Sequence, residues 1–187
     1  MGQSSHYFIA LPVSNELKEK FLNWQEQLQD ELSYKIWPHK ADLHITLKFL
    51  GAVDQDRLGK LRVSLRSIEH PKFTVSVGSI GTFGKHDKPR VLWAGVENNN
   101  LLEELYKKVE LVATSMGFNK ENRPYRPHIT LAKKWNSLHE HAENLKAIKE
   151  KYEAERFHMN IEEFVLYQIF PSKSPKYEKV ETFYLRG

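Results

Sequence analysis

His44-Ile45-Thr46-Leu47 and His128-Ile129-Thr130-Leu131 are one tetrapeptide written twice in a chain of 187 residues. Each copy lies in a run with the composition of a β-strand, residues 43–50 and 127–132. Successive side chains of a strand point to opposite faces. His44 and Thr46 therefore share one face, and Ile45 and Leu47 the other. The second copy sets His128 and Thr130 against Ile129 and Leu131 in the same way. Each copy offers an imidazole and a hydroxyl side by side on a strand whose back is anchored in a core. Polar and apolar residues commonly alternate in strands, but histidine is an unusual choice for the pattern. Its repetition letter for letter points to two related sites.

Outward from the motifs, residues 6–12 read as a short buried strand ending at Pro12. Leu17, Phe21, Trp24, Leu28 and Leu32 fall three and four apart, which predicts a helix over 15–32 with Ser14 as its N-cap. Residues 34–38 lead into the first motif strand, which Gly51 closes. Leu58, Leu61, Leu65 and Ile68 mark a second amphipathic helix over 54–68, and Phe73, Val75 and Val77 alternate as a half-exposed strand. Gly78, Gly81 and Gly84 are expected to loosen the chain before Pro89, ahead of a strand over 90–96. Leu101, Leu105, Val109 and Val112 mark a third helix over 101–116, with Gly117 at its C′ position. A polar loop over 119–125 delivers the second motif strand. A charged helix over 138–152 and strands over 159–170 and 179–185 complete the chain.

Each motif strand is thus preceded by a strand and a helix and followed by a helix and a strand. This order predicts internal duplication in an α+β fold, with two lobes related by a pseudo-two-fold and the motif faces across a groove. No linker rich in Gly, Ser or Pro divides the chain, so 1–187 reads as one bilobal domain.

Composition narrows the chemistry. The net charge is +4 and the pI is about 9.1, a mild basic bias compatible with an anionic substrate. Cysteine is absent, which excludes thiol nucleophiles, disulfides and thiolate metal sites. No apolar run reaches transmembrane length, and the amino terminus carries neither a secretory nor a myristoylation pattern. A cytoplasmic protein is expected.

Two imidazoles can divide proton transfer between them, one neutral and accepting a proton from water, the other charged and donating to a leaving oxygen. Thr46 and Thr130 can donate hydrogen bonds to non-bridging phosphate oxygens. Arg126 stands two residues before His128, and Lys48 is in phase with His44 and Thr46, so each can bring a cation to the same anion. Arg90 is a candidate second phosphate contact. Tyr125 and Phe83 are candidates to stack a nucleobase.

The stretches His44-Ile45-Thr46-Leu47-Lys48-Phe49-Leu50-Gly51 and Arg126-Pro127-His128-Ile129-Thr130-Leu131-Ala132-Lys133 resemble the signature strands of the 2H phosphoesterases. Within that superfamily the sequence is most similar to the RNA 2′,3′-cyclic phosphodiesterases, historically named 2′-5′ RNA ligases. Tyr7-Phe8-Ile9-Ala10 and the segments Gly81-Thr82-Phe83-Gly84 and Pro89-Arg90-Val91-Leu92-Trp93 share the likeness, which covers most of the chain. Beyond the second motif this chain has Lys133 where the family commonly has Arg.

The resemblance implies lobes built as antiparallel sheets with helices on their outer sides. It also implies metal-independent opening of an RNA or nucleotide 2′,3′-cyclic phosphate to a 2′-phosphate and a free 3′-hydroxyl. His44 is then the proton donor to the 3′-oxygen and His128 the proton acceptor from water, with Thr46 and Thr130 holding the phosphate. Reverse 2′-5′ joining of RNA ends is implied as a minor activity. The expected partners are RNA or oligonucleotide ends bearing the cyclic phosphate, with no cofactor, no metal, no membrane and a monomeric protein.

Two other classes compete. A non-catalytic module could bind RNA ends in the same groove, and a metallohydrolase is disfavoured because no carboxylates accompany the histidines. His139 and His141, two apart in a predicted helix, do not share a face. His6, His39, His70, His86 and His158 read as surface or turn residues, with His39 and His86 able to reach the groove from loops.

Overall fold

Apolar residues three and four apart decide the helices in the computed structural model, which describes residues 4–137 and 144–186. In chain order the elements are β1 (His6–Pro12), α1 (Asn15–Gln29), β2 (Tyr34–Ile36), a 3-10 turn (Lys40–Asp42), β3 (His44–Ala52) and α2 (Gln55–Arg66). There follow β4 (Phe73–Gly84), β5 (Pro89–Val96), α3 (Asn100–Ser115), β6 (His128–Trp135), α4 (Leu145–Tyr152), β7 (Arg156–Ile161), β8 (Glu163–Ile169) and β9 (Tyr177–Tyr184). Ser14 caps α1 by accepting from the Leu17 N–H. Asp54 caps α2 and Asn99 caps α3 by the same three-residue reach. Gly117 follows α3 at φ +81°, a conformation that glycine adopts without a Cβ penalty.

The strands form one antiparallel sheet in the order β7-β4-β5-β6-β3-β1-β8-β9, with β2 also paired to β6. The seam between β3 and β6 divides it. Outward from the seam run β3, β1, β8 and β9 on one side and β6, β5, β4 and β7 on the other, which is the pseudo-two-fold of the α+β duplication. The lobes are not the two halves of the sequence, however. β4, from the first repeat, pairs with β5 of the second, and β8, from the second, pairs with β1 of the first. Each repeat therefore lends a strand to the other lobe.

The helices cover one face of this sheet. Phe21, Leu61, Leu105 and Ile148 from the four helices join Ile9, Ile45, Leu92, Ile129 and Phe164 from the strands in one buried core. The other face carries a smaller buried group, Phe8, Ala10, Val165 and Tyr167, and is free for the motif polar groups.

Three expectations change. Gly78, Gly81 and Gly84 do not loosen the chain but lie inside β4, which pairs with β5 as far as Gly84. Gly81 is where the Trp93 indole crosses the strand, and glycine leaves the room for it. The strand expected over 159–170 is two strands, β7 and β8, at opposite ends of the pairing order. His70, read as a surface or turn residue, is buried, its ring edge-on to Phe73 and its Nδ1 bonded to the Pro71 carbonyl. Residues 138–143, including His139 and His141, lie outside the described residues.

A Cβ on Gly81 would sit 2.1–2.5 Å from three carbons of the Trp93 ring. Gly81→Ala is therefore expected to cost about 1–3 kcal/mol in urea unfolding. Trp93→Leu in the same chain should recover part of that loss, because the three nearest atoms all belong to the indole. An additive double mutant would show that the strain lies elsewhere.

Candidate active site

β3 and β6 run antiparallel and meet where Ile45 faces Ile129. That one pairing sets Thr46 beside His128 and His44 beside Thr130, because neighbours on antiparallel strands count in opposite directions. The two imidazoles and two hydroxyls thus form a four-cornered group on the helix-free face. Beyond this point the strands part, and β2 takes up the rest of the β6 edge through Ile36 and Lys133. The groove between the lobes opens from that divergence.

Each imidazole is oriented from behind. His44 Nδ1 lies 2.7 Å from the Asp42 carbonyl oxygen, and His128 Nδ1 lies 2.7 Å from that of Arg126. A carbonyl can only accept, so Nδ1 carries the hydrogen and donates in both rings. In the neutral ring this leaves the Nε2 lone pair for chemistry. His44 Nε2 is 3.0 Å from Thr46 Oγ1. Aromatic rings wall the pair: Phe8 and Tyr177 stand 4.8 and 5.4 Å from the His44 ring, and Phe83 stands edge-on to His128 at 4.9 Å.

These surroundings act on the protons. Burial, with the His128 charge adding to it, outweighs the Asp42 carbonyl and holds the His44 imidazole down at about 4. Burial also lowers His128, against the Arg126 carbonyl. Lys133 is lowered by burial and by Lys176 and Lys134.

Strict alternation predicts Lys48 on the face of His44 and Thr46; the strand instead turns it to the helix side, where it lines the wall of the larger cavity beside Glu110. Across the β1 ladder Thr46 pairs with Ala10 and Lys48 with the next residue, Ile9, so Leu47 is an extra residue, a β-bulge. After it the faces exchange. Lys48 turns to the helix side, buried, where its Nζ meets Glu110 at 2.9 Å and the Asn119 carbonyl at 2.6 Å. Phe49 takes the outward place opposite Phe8. β6 carries the same bulge at Leu131, between the pairs Thr130–Trp93 and Ala132–Leu92. Ala132 is accordingly buried, and Lys133 takes the position that Phe49 holds in β3.

Two cavities flank the four-residue group. One, of about 270 Å³, is lined by His44, Thr130, Asp42, Lys133, Phe8 and Tyr177 among others. The other, of about 1140 Å³, runs past Thr46 and His128 to Arg90, Lys120, Arg123 and Arg126. The structure thus brings His44, His128, Thr46, Thr130, Arg126, Arg90 and Phe83 together. Arg126 precedes β6 instead of lying in it. Tyr125 lines the larger cavity, but its ring is stacked on Tyr106 at 4.0 Å and its hydroxyl donates to the Thr46 carbonyl. It braces the motif strand, and one ring face is already occupied. His39 caps the 3-10 turn through Ala41 N–H, and neither it nor His86 lines either cavity.

The profile of the LigT-like phosphoesterase family matches this chain twice in succession, over residues 11–93 and 95–177. The chain belongs to this family. It is 36% identical over 182 residues to the RNA 2′,3′-cyclic phosphodiesterase of Bacillus subtilis, covering 96% of each chain. To the enzyme of the same name from Geobacillus stearothermophilus it is 34% identical over 98% of this chain, which spans 58% of that protein's length. The crystal structure of Escherichia coli LigT complexed with 3′-AMP shares the fold, with a TM-score of 0.82 at 22% identity over 98% of this chain and 99% of that one.

Some residues of this LigT-like site carry no sequence signal. Asp42 is buried between the turn and the loop before β9, its carboxylate accepting from the Lys176 and Tyr177 N–H groups at 2.8 and 3.1 Å. It ties Tyr177 against His44. Gln25, also buried, bonds the Pro38 and Leu131 carbonyls from α1. No group of three His, Asp or Glu side chains converges as a metal site among the described residues. None of their helices is long and apolar enough to cross a membrane.

The lowered imidazoles make a stability prediction. Unfolding returns both to about 6.5, so between about pH 6.5 and 4 the unfolded chain binds protons that the folded chain refuses. Stability is complete above that window and falls as the pH drops through it. His44→Gln cannot titrate, and its urea midpoint should fall less than that of the unaltered chain between about pH 7 and 4.5. Equal falls would remove His44 as a cause of the acid sensitivity.

Proposed function

We propose that this LigT-like phosphoesterase hydrolyses the 2′,3′-cyclic phosphate at an RNA or nucleotide end, leaving a 2′-phosphate and a free 3′-hydroxyl. The observation that carries the reading is the pair of imidazoles, each tied at Nδ1 to a main-chain carbonyl with a threonine hydroxyl beside it. Relatives that share a third of the sequence and bear the name of that activity support it.

In this reading neutral His128 takes a proton from water as its oxygen attacks phosphorus. Charged His44 gives a proton to the 3′-oxygen as the P–O3′ bond breaks. The sum adds one water across one bond and leaves the imidazoles in exchanged protonation states, which solvent resets. Thr46 and Thr130 donate to the non-bridging oxygens, and Lys133 opposes their charge from the His44 side. Arg126 and Arg90 meet the phosphates of a longer strand. Imidazoles and hydroxyls can move every proton that the step requires, so no metal is assigned a role. The same exchange with a 5′-hydroxyl in place of water joins two RNA ends, and water at its bulk concentration keeps that outcome minor.

His44→Ala and His128→Ala should each lower kcat by about 10²–10⁴-fold with an unchanged circular dichroism spectrum. Full activity in either variant would falsify the paired-imidazole mechanism. Activity should survive strong chelation, whereas loss restored by a divalent ion would demand a different reaction. The rate should trace a bell against pH. Because the free protein holds both imidazoles low, the kcat/KM optimum should fall below about pH 6.5. The kcat optimum should lie higher, since a bound phosphate anion favours imidazolium. A kcat/KM optimum well above neutrality would contradict the low values read from burial. A protein that retains cyclic-phosphate RNA without turning it over would instead be a binding module.

A further inference from the structure

We infer that Phe49 is the platform on which the nucleobase of the terminal nucleotide stacks, an inference that rests on the phosphodiesterase reading of the groove. Phe49 is 61% exposed, a large apolar surface in water on a strand that is otherwise largely covered. Among the described residues no other ring lies against it, whereas Tyr125 is stacked on Tyr106 and Phe83 packs on Trp93 and His128. The two aromatics that sequence favours for stacking already serve the protein. Among the described residues, the Phe49 ring has no such partner.

Its place follows from the bulge. Had β3 alternated strictly, Lys48 would face the groove and Phe49 would be buried among the helices. The extra residue at Leu47 exchanges them, hiding a cation in an internal ion pair with Glu110 and presenting an aromatic face outward. Bulges recur beside active sites because they re-aim side chains in this way.

Position names the ligand. Thr46 and Phe49 are the two residues that line both cavities, so Phe49 forms the saddle between them. Three residues along a bulged strand separate it from Thr46, roughly 10 Å at most. That is the reach of a nucleoside from its 2′,3′-phosphate to its base. A flat apolar ring at that reach offers stacking without a hydrogen-bond code, so any base is accepted. The exposed Arg90, Lys120 and Arg126, unpaired among the described residues, continue the larger cavity beyond it.

The test compares adenosine 2′,3′-cyclic phosphate with ribose 2,3-cyclic phosphate, which lacks the base, on the unaltered chain, Phe49→Ala and Phe49→Trp. The unaltered chain should favour the base-bearing substrate in kcat/KM. Phe49→Ala should cut that preference by about 10- to 100-fold, chiefly through KM, and Phe49→Trp should restore it. An unchanged preference, or equal loss on both substrates, overturns the platform. If the unaltered chain hydrolyses neither compound, the phosphodiesterase reading fails on its own. Calorimetric affinities for adenosine 2′-monophosphate against inorganic phosphate, on the same three proteins, then decide Phe49. Loss of the nucleotide's advantage in Phe49→Ala supports stacking, and its retention refutes it.

Discussion

The bulge directly after the threonine of each motif strand governs what the groove receives. At Leu47 and at Leu131 the ladder skips a position, and the strand leaves the bulge with its faces exchanged. Before the bulge lie the imidazole and the hydroxyl. After it, the first residue turns to the helices and the second to the groove. The leucine itself belongs to the helix-side core, buried in both copies. Hydrophobic anchorage at that one site is therefore also the device that sets which of the following side chains can meet a substrate. A deletion there would slip the register and reverse every later residue of the strand.

The seam depends on the same economy of contacts. β3 and β6 share one ladder pair, Ile45 with Ile129, which is little backbone bonding to hold two lobes. The strand exchange supplies the rest. Because β4 completes the second lobe and β8 the first, neither repeat can finish its sheet alone. Gln25 strengthens the joint from α1 by reaching the Leu131 carbonyl across the seam. The geometry around the imidazoles is thus fixed by packing on the helix side, while their own face stays open.

Much of this was legible in the sequence, and the failures have physical causes. The repeated His-Ile-Thr-Leu gave the duplication and both faces, because a period of two survives over four residues. The helices followed from their apolar stripes, and Ser14 was placed correctly as a cap. Lys48 leaves the face of His44 and Thr46 through a bulge, which leaves no mark in residue type. Leu47 is as good a strand residue as any. The glycines of β4 were misread because their absence of side chains answers a distant demand, the Trp93 ring and the main chain of Glu155. Asp42 escaped notice because its partners, the Lys176 and Tyr177 N–H groups, are more than a hundred residues away. His70 looks like a turn residue from its neighbours in sequence, but it forms a β-bridge with the distant Arg186 and is buried.

The repeats have not kept their symmetry, and the differences sit where chemistry would use them. The same bulge presents Phe49 from one strand and Lys133 from the other, an apolar face in one copy and a cation in its counterpart. Asp42 and Tyr177 crowd His44, while Phe83 and Trp93 flank His128. Two imidazoles in identical settings would titrate alike and have no reason to take opposite roles. Lys133, beside His44, makes protonation of that ring harder. An arriving phosphate would cancel the lysine's charge and add its own, favouring imidazolium on the side where the proposed reaction protonates the leaving oxygen. Burial keeps His44 neutral at rest, and the cation that adds a little to it is then a group that ties the ring's charging to the arrival of an anion.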